Sequence, residues 1–342
     1  MDGVLAMRVS DIGEFGLIDL IKNDTLYNPS DVVVGIGDDT AVLKHPPEKL
    51  LLATTDMMIE NVHFVVMPDN GEQIGYRAMA ANVSDIASMG GFPTHAMISI
   101  GVRPEMEASY IEQVYNGLKK CSKLYGVNIV GGDTVSSPQN LVINVALLGV
   151  VEQENYLLRS GAKPGDIILV TGYLGDSRAG LELITNRVKV SKKTEEYLLK
   201  RHYYPTPRVK EIRAALKAAP INSADDISDG LGNEIHEIAS ASNVGAVIWF
   251  DSLPISDAVK EVADLTKKDL LDYVLFGGED FEIVMTADPE NAELIAKVIK
   301  DETGTEATII GKIVDRSEGI LLFRDNQYKK IEKKGYIHFK QK

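Results

Sequence analysis

Short apolar runs rich in β-branched residues recur along the chain, and several of them end in glycine or aspartate. Three of these runs are residues 32–37 (VVVGIG), 50–56 (LLLATTD) and 128–133 (NIVGGD). Two more, residues 141–151 and 166–172, have a similar character. Their length, composition and glycine breaks favour buried strands over helices. The pattern therefore predicts strands that end in Gly/Asp turns.

Longer segments between these runs are typical of helices. The predicted helices cover residues 73–89, 109–125, 174–184, 194–202, 208–218 and 290–302. Strands mixed with helices indicate an α/β or α+β protein.

The length of the chain, 342 residues, predicts two domains, because single cores usually stop growing below this size. The strongest boundary signal lies in residues 153–165, where the turn-forming sequence RSGAKPG (159–165) precedes a new strand. We expect domain one over residues 1–150 and domain two over residues 151–342.

The formal net charge of −14 narrows the choice of partners. Nucleic-acid binding is disfavoured because it depends on Lys and Arg that neutralise phosphates. An acidic protein can still bind phosphorylated ligands if metal ions supply positive charge, although acidity often serves solubility alone.

The expected location is the cytoplasm. No apolar stretch approaches the ~20 residues that a bilayer requires, and Asp2, Arg8 and Asp11 interrupt any signal-peptide pattern. Cys121 is the single cysteine, so an internal disulfide and a cysteine-based zinc site are both excluded.

Two aspartate-bearing segments follow predicted strands near the N-terminus. In GIGDDT (35–40), Asp38 and Asp39 are adjacent. Two carboxylates ~4 Å apart repel by about 4 kcal/mol at an effective dielectric of about 20, so a cation is a natural partner. The second segment is Thr54-Thr55-Asp56, which offers the hard oxygen ligands that Mg²⁺ prefers. The alternative for both is ordinary turn chemistry.

Asp85 and Asp133 extend this series. Asp85 lies on a predicted helix among small apolar neighbours, which predicts a buried carboxylate that needs a partner. That partner is either a ligand or a structural group such as an arginine or a backbone N–H. Asp133 ends the run GGDT (131–134) and repeats the strand–Gly–Asp theme.

The second half of the chain has two acidic segments. Residues 224–232 (ADDISDGLG) carry three aspartates and Ser228 just before a predicted helix, without EF-hand spacing. The structural alternative is an N-cap role for Ser228 or Asp229. The two roles are compatible because a helix N-terminus also binds phosphate. The other segment is GGEDFE (277–282). This recurrence suits a site with several Mg²⁺ ions that hold substrate phosphates.

The common catalytic motifs are absent from the sequence. There is no P-loop, no protein-kinase signature, no dinucleotide fingerprint, no G-x-S-x-G elbow and no H-E-x-x-H. His63, His95 and His202 are scattered singly, and for such histidines a structural or surface role is the more common one.

Taken together and in order, the segments resemble the thiamine-monophosphate kinase family over essentially the whole chain. The matching segments are GEF (13–15), GIGDDTAV (35–42), TTDMMIENVHF (54–64), NVSDIASMGG (82–91), VGGDT (130–134), RSGAKPGD (159–166), TGYLGDSRAGL (171–181), RHYYPTPR (201–208), DISDGL (226–231), GGEDFE (277–282) and KKGYIHF (333–339). The resemblance implies an aminoimidazole-ribonucleotide-synthetase-like fold of two α/β domains. It also implies a homodimer formed through the sheet of the first domain, with ATP in a cleft. The implied reaction converts ATP and thiamine monophosphate into thiamine diphosphate and ADP.

The resemblance also implies roles for individual residues. The implied Mg²⁺ ligands are Asp39, Thr54, Thr55, Asp56, Asp85, Asp133, Asp226 and Asp229. The implied ATP-binding residues are Tyr115, Gly132, Asp133, Arg159 and Ser228. The implied thiamine-phosphate residues are His63, Glu279 and Tyr336, the last of which is Trp in some relatives. No general base is expected, since the attacking phosphate oxygen is already anionic and metal and positioning carry the reaction.

Other assignments remain open on the sequence alone. Related selenophosphate synthetases use a reactive cysteine or selenocysteine near the N-terminus, whereas Cys121 lies in mid-helix. The hydrogenase-maturation relative ends in a functional cysteine, whereas this chain ends Lys-Gln-Lys. An aminoimidazole-ribonucleotide-synthetase-like enzyme is the nearest alternative. The other alternative is a non-catalytic Mg²⁺–nucleotide binding protein.

Overall fold

The computed structural model describes residues 8–34, 36 and 42–334. These residues form two compact units. The N-terminal unit holds the described residues up to Ile86 together with Phe92–Gln153, and the C-terminal unit holds Ala87–Gly91 and the described residues from Glu154. Asp38, Asp39 and Tyr336, which the sequence analysis singled out, lie outside the described residues.

The N-terminal unit combines three helices with a four-stranded mixed sheet. Its helices are α1 (Val9–Ile21), α2 (Gly71–Ser88) and α3 (Ala108–Tyr125). Its strands are β1 (Val32–Val34), β2 (Val42–Leu43), β3 (Lys49–Ile59), β4 (Phe92–Val102), β5 (Asn128–Ser136) and β6 (Val142–Glu152). The sheet has the order β3-β6-β4-β5, in which only β4 and β5 are parallel, while β1 and β2 form a separate antiparallel pair.

Helices α2 and α3 approach each other closely because glycines lie where they meet. A Cβ atom on Gly75 would come within 1.9 Å of the Val114 carbonyl oxygen, and one on Gly117 within 1.9 Å of the Glu72 oxygen. Any larger residue would push the helices apart. This close packing places α2 against the sheet, where the Asp85 segment meets β3.

The predicted strand at residues 50–56 forms within β3, but the prediction that it is buried is wrong. Leu51 is 54% exposed and Met57 is 51% exposed, and both lie on the face of the sheet away from α2. On β4, Met97 of the same face is 39% exposed. Alternate residues of a strand point to opposite faces, so helices on one side leave the other side uncovered.

The C-terminal unit is built around a seven-stranded mixed sheet. Its helices are α4 (Asp176–Thr185), α5 (Lys192–Tyr203), α6 (Val209–Ala218), α7 (Leu231–Ser242), α8 (Asp257–Thr266), α9 (Leu270–Val274) and α10 (Pro289–Thr303). Its strands are β7 (Ile167–Thr171), β8 (Ser223–Asp226), β9 (Gly245–Trp249), β10 (Ile283–Ala287), β11 (Ala307–Val314), β12 (Ile320–Arg324) and β13 (Gln327–Lys330). The strand order is β13-β12-β9-β11-β7-β10-β8, with β12 and β9 parallel and the other pairs antiparallel.

The core of this unit lies between the sheet and its helices. Ile168 and Val170 of β7, Ile235 of α7 and Val259 of α8 belong to one buried cluster. The α/β class predicted from the sequence is confirmed, and the six predicted helices are present within a few residues of their predicted ends. Over the part of the chain that the structure describes, no helix is long and apolar enough to cross a membrane.

Candidate active site

In the N-terminal unit, β3 and α2 bring Thr54 and Asp85 together. The Thr54 hydroxyl donates a hydrogen bond to Asp85 Oδ2 at 2.5 Å. Asp85 is half-buried rather than buried as predicted. The Thr54 hydroxyl is one partner of its carboxylate. The contact leaves a carboxylate and a hydroxyl oxygen side by side, which is the chemistry of a hard-cation site.

Asp56 lies two residues further along the same face of β3. Its backbone N–H donates to Asn82 Oδ1 at 3.0 Å, and the Asn82 amide donates in turn to the Ala78 carbonyl at 3.0 Å. Asp56 is exposed. Desolvation of its carboxylate by the surrounding protein nevertheless raises the pKa of Asp56, and the nearby His63 opposes this rise. Asn82 and Asp85 are three residues apart on α2, so one helix face holds both positions beside β3.

Thr55 and Asp133 lie elsewhere on the sheet. The Thr55 hydroxyl points away from α2 and donates to Asn144 Oδ1 of β6 at 3.1 Å. Asp133 is exposed on β5, where it pairs with Ser99 of β4. The described geometry therefore groups Thr54, Asp56 and Asp85 but does not bring Thr55 or Asp133 to them.

His63 folds back onto the end of β3. The Ile59 backbone N–H donates to His63 Nδ1 at 3.0 Å, so in the neutral ring the proton is on Nε2. The residue is half-buried and close enough to Asp56 to influence its pKa. His63 thus lies in the turn that follows β3, next to the acidic group on that strand.

A cavity of about 130 Å³ in the N-terminal unit gathers three of the predicted nucleotide positions. Tyr115, Gly132 and Asp133 line it, together with the apolar side chains of Ile18 and Ile21 from α1. Gly132 is required for backbone packing, because a Cβ there would lie 1.8 Å from the Ile98 carbonyl oxygen. Whole-ligand pockets typically measure roughly 300–1,000 Å³, so this cavity suits one part of a nucleotide.

In the C-terminal unit, Arg159 and Asp225 form an ion pair at the edge strand β8. Arg159 Nε lies 2.8 Å from Asp225 Oδ2. Burial raises the pKa of Asp225 to about 6, although Arg159 opposes the rise. The next residue, Asp226, is also buried and pairs with Ile283 of β10. Two adjacent buried acids and a half-exposed arginine thus occupy one strand end.

Neither Ser228 nor Asp229 caps the N-terminus of helix α7, although capping was the structural alternative to a ligand role for both. Its N-cap is Gly230, and no side chain caps it. The Asp229 backbone N–H instead donates to Glu234 Oε1 at 2.8 Å. Burial, reinforced by Asp225, raises the pKa of Glu234 to about 9. Ser228 and Asp229 are half-buried, and the N-cap interpretation is wrong for both.

The segments DISDGL and GGEDFE, about fifty residues apart, are hydrogen bonded to each other. The Glu279 N–H donates to the Ser228 carbonyl at 2.7 Å, and the Phe281 N–H to the Ile227 carbonyl at 3.0 Å. Gly278 is needed at this crossing, because a Cβ there would lie 2.4 Å from the Ser228 oxygen. The pairing places Glu279, a predicted substrate residue, next to Ser228, a predicted ATP residue.

Behind this pair of segments lies a buried ionic cluster that the sequence analysis did not assign. Glu282 is fully buried and accepts two hydrogen bonds from Arg208, each 2.6 Å long, and one from Arg201 at 2.6 Å. The Thr171 hydroxyl also donates to Glu282, at 2.6 Å. The two arginines hold the pKa of Glu282 below its usual value against the effect of burial. The motif RHYYPTPR was recognised in the sequence, but its pairing with Glu282 depends on contacts more than seventy residues apart.

Some predicted residues take no part in these groupings. Asp39 and Tyr336 lie outside the described residues. Cys121 is fully buried in α3, and burial raises the pKa of its thiol, which is unsuited to the reactive thiol of the selenophosphate alternative. Within residues 8–34, 36 and 42–334, no three His, Cys, Asp or Glu side chains are arranged to hold a metal ion.

Two family models match the chain. They are the AIR synthase related protein, N-terminal domain, over residues 37–151, and the AIR synthase related protein, C-terminal domain, over residues 163–323. Together they cover most of the sequence. The two α/β units are therefore those of an AIR-synthase-related protein.

Relatives of the full chain narrow this class. The thiamine-monophosphate kinase of Bacillus subtilis (strain 168) is 40% identical over 338 residues, which are 96% of this chain and 99% of the relative. The crystal structure of thiamine-monophosphate kinase from Stenotrophomonas maltophilia K279a matches with a TM-score of 0.81 and 32% identity, over 93% of this chain and 98% of that one. AaThiL complexed with AMPPCP and TMP matches with a TM-score of 0.75 and 36% identity, over 98% and 100%. The chain belongs to the thiamine-monophosphate kinase family, and the family predicted from its motifs is confirmed.

Proposed function

We propose that this protein transfers the γ-phosphoryl group of ATP to thiamine monophosphate, with Mg²⁺ as the required ion, and releases thiamine diphosphate and ADP. The observation that carries the proposal is the likeness, over nearly the whole chain, to AaThiL complexed with AMPPCP and TMP. An ATP analogue and the phosphate acceptor are bound together by that relative. Relatives named thiamine-monophosphate kinase, 40% and 38% identical to this chain, also support the proposal.

Candidate nucleotide-binding residues are proposed in each unit. The cavity beside Tyr115 is lined by isoleucines and by the backbone of Gly132, which suits a flat base. Arg159, half-exposed and paired with Asp225, supplies a guanidinium for phosphate oxygens. Ser228 offers a hydroxyl on the segment that pairs with Glu279. These residues bind and orient ATP.

The donor set fits Mg²⁺. Thr54, Asp56 and Asp85 present hydroxyl and carboxylate oxygens on one side of β3, and Asp226 and Asp229 present two more carboxylates on the C-terminal unit. Mg²⁺ usually keeps several waters and takes one or two carboxylates plus substrate phosphates, so a complete all-protein cage is not required. Asp39, Thr55 and Asp133 are proposed as further ligands on the family resemblance. Bound Mg²⁺ would neutralise phosphate charge during the transfer.

The chain itself positions the two polyanions for an in-line reaction. An oxygen of the thiamine monophosphate phosphate attacks the γ-phosphorus, and the bond to the bridging oxygen of ADP breaks. The attacking oxygen is already ionised near neutral pH, since the second pKa of a phosphate monoester is about 6. A general base is therefore unnecessary, and holding the groups in line is the main task.

Thiamine monophosphate is assigned to His63, Glu279 and Tyr336. The Nε2–H of His63 is a hydrogen-bond donor, because Nδ1 accepts from Ile59. Glu279 is half-buried beside Ser228 and carries a negative charge suited to the cationic part of thiamine. Tyr336 is proposed for stacking on the basis of the family motif alone.

The exposed sheet face of the N-terminal unit is proposed as the contact of a homodimer in the cytoplasm. Leu51, Met57, Met97 and Val135 expose 54, 51, 39 and 52% of their surface on this face. Exposed apolar surface of this kind marks an interaction site. A second copy would bury it, and the N-terminal unit would then serve both dimerisation and ATP binding. Residues of the C-terminal unit are proposed to contribute to ATP and thiamine monophosphate binding.

An ADP-release assay with two acceptors tests the function. The purified protein is given ATP and Mg²⁺ with thiamine monophosphate, or with the purine precursor on which aminoimidazole-ribonucleotide synthetase acts. We expect ADP release and thiamine diphosphate formation only with thiamine monophosphate. Activity only with the purine precursor contradicts the proposal, and binding of ATP without turnover of either acceptor supports the non-catalytic alternative.

A further inference from the structure

The residues around Glu279 form a closed ring of contacts. Asp280, the next residue, is 2% exposed, and its two carboxylate oxygens accept the backbone N–H groups of Gly175 at 2.6 Å and Ser177 at 3.0 Å. The Ser177 hydroxyl and His202 Nδ1 are hydrogen bonded at 3.0 Å. His202 Nδ1 in turn lies 4.0 Å from Glu279 Oε2. We call Glu279, Asp280, Ser177 and His202 the Glu279 ring.

The backbone of this loop adopts a conformation that its residue types disfavour. Glu279 has φ of 66° and Phe281 has φ of 51°, on either side of Asp280. Non-glycine residues in the left-handed region cost free energy and persist only when surrounding contacts hold them. The contacts that hold this loop are the two hydrogen bonds to Asp280 and the backbone pairing with Ile227 and Ser228.

We propose that Asp280 is a positioning residue, which through Ser177 and His202 fixes the Glu279 carboxylate in the direction that thiamine monophosphate requires. Asp280 joins the loop to the first turn of α4, and His202 of α5 lies against the Glu279 side chain from the other side. Strain at functional sites often stores the geometry that substrate binding uses. The proposal rests on the assignment of Glu279 to the acceptor in the proposed function.

Two substitutions interrupt the ring at different points. Asp280→Asn keeps the size of the side chain, but the amide has one acceptor oxygen and turns an NH2 group towards one of the two backbone N–H donors. Ser177→Ala removes only the hydroxyl that bonds His202 and keeps the Ser177 N–H bond to Asp280. We expect Asp280→Asn to raise the KM for thiamine monophosphate about tenfold or more, and Ser177→Ala to raise it about two- to fivefold, while the KM for ATP stays within about twofold.

Matched controls separate positioning from stability. Glu182→Gln changes a carboxylate that is 2% exposed on the same helix α4, where it accepts from Asn186 and Lys268. Ser223→Ala removes a buried hydroxyl whose partner is Thr286, at 2.8 Å, within the sheet. Both are expected to lower Tm with no change in the ratio of the two KM values. If Asp280→Asn and Ser177→Ala change only Tm, as these controls do, the positioning role is wrong.

Two further measurements complete the test. If Asp280→Asn does not fold, Ser177→Ala compared with Ser223→Ala decides the matter alone. Glu279→Gln is measured in parallel: a normal KM for thiamine monophosphate means that Glu279 does not touch the acceptor, which overturns the positioning role and leaves the kinase function standing. A wild-type protein that does not phosphorylate thiamine monophosphate overturns the proposed function itself.

Discussion

Asp85 is the residue on which the metal proposal is most directly tested. In Asp85→Asn the amide oxygen can still accept the Thr54 hydroxyl that now lies 2.5 Å away, so the fold should persist. A neutral amide binds Mg²⁺ more weakly than a carboxylate. We expect turnover to fall by orders of magnitude with little change in Tm, measured by product formation over a Mg²⁺ titration.

Asp69→Asn is the matched control for that variant. Asp69 is an exposed carboxylate in a turn of the same unit, and its loss should leave turnover unchanged. Asp226→Asn offers the same test on the C-terminal unit. Near-normal turnover in both Asp85→Asn and Asp226→Asn would show that the metal assignment is wrong.

Glu234 predicts a pH dependence of stability. Its pKa is about 9 in the folded protein and about 4.5 in the unfolded chain. Between these values the native state holds a proton that the unfolded state has lost, so the free energy of unfolding decreases as pH rises. One proton changes it by at most ~1.4 kcal/mol per pH unit.

Glu234→Gln isolates this contribution. The glutamine oxygen can still accept from the Asp229 N–H, but the side chain no longer titrates. In metal-free buffer, we expect the stability of the variant relative to wild type to increase steadily from pH 5 to about pH 9. Urea unfolding at each pH measures the difference, and a difference that does not vary with pH contradicts the prediction.

At the scale of elements, the cluster around Glu282 joins α5, the start of α6 and strands β7 and β10. Removing one charge leaves Arg201 and Arg208 without their main buried partner. Breaking a buried ion pair in this way typically costs about 3–5 kcal/mol. We therefore expect Glu282→Gln to lower the free energy of unfolding by about that amount, measured by urea denaturation. Lys260→Gln, which breaks an exposed pair with Asp257, should change it by less than about 1 kcal/mol.

At the scale of the whole molecule, the uncovered sheet face predicts the oligomeric state. Leu51→Lys places a charge on that face, where burial against a second copy would remove its solvent. We expect a dimer of the wild-type protein to become a monomer in this variant, as measured by light scattering after gel filtration. Leu294→Lys changes a leucine on α10 that is 46% exposed, and this variant should stay dimeric. A wild-type protein that is monomeric at all concentrations excludes the proposed interface.

Much of the architecture could be predicted from local patterns. The glycine-ended run at residues 128–133 is the first part of β5, and the helix predicted at residues 109–125 is α3 almost to the residue. Such elements follow from apolar periodicity over a few residues, which is a property of the neighbouring sequence. Strand β4 escaped prediction because Phe92–Val102 includes Pro93, His95 and Gly101 and lacks a continuous β-branched run.

The grouping of the site residues could not be predicted in the same way. Thr54, Thr55 and Asp56 are consecutive, yet the alternation of the strand sends Thr55 to Asn144 and leaves Thr54 with Asp85. The N-cap that was the structural alternative for Ser228 or Asp229 is Gly230 instead, and the Asp229 N–H donates to Glu234. These outcomes depend on which neighbours the fold supplies.

The sequence by itself determined many of the helices and strands and the family to which the chain belongs. The Gly/Asp turns predicted at the ends of the runs 50–56 and 128–133 are wrong, because β3 continues to Ile59 and β5 to Ser136. Only the tertiary structure decided the ion pair of Arg159 with Asp225 and the ion pairs of Arg201 and Arg208 with Glu282. It also decided the burial that raises the pKa of Glu234 and of Asp280. The physical reason is the distance along the sequence over which each kind of interaction acts. Backbone conformation responds to residues a few positions away, whereas desolvation and pairing of charges depend on groups that the chain brings together from fifty or more residues apart.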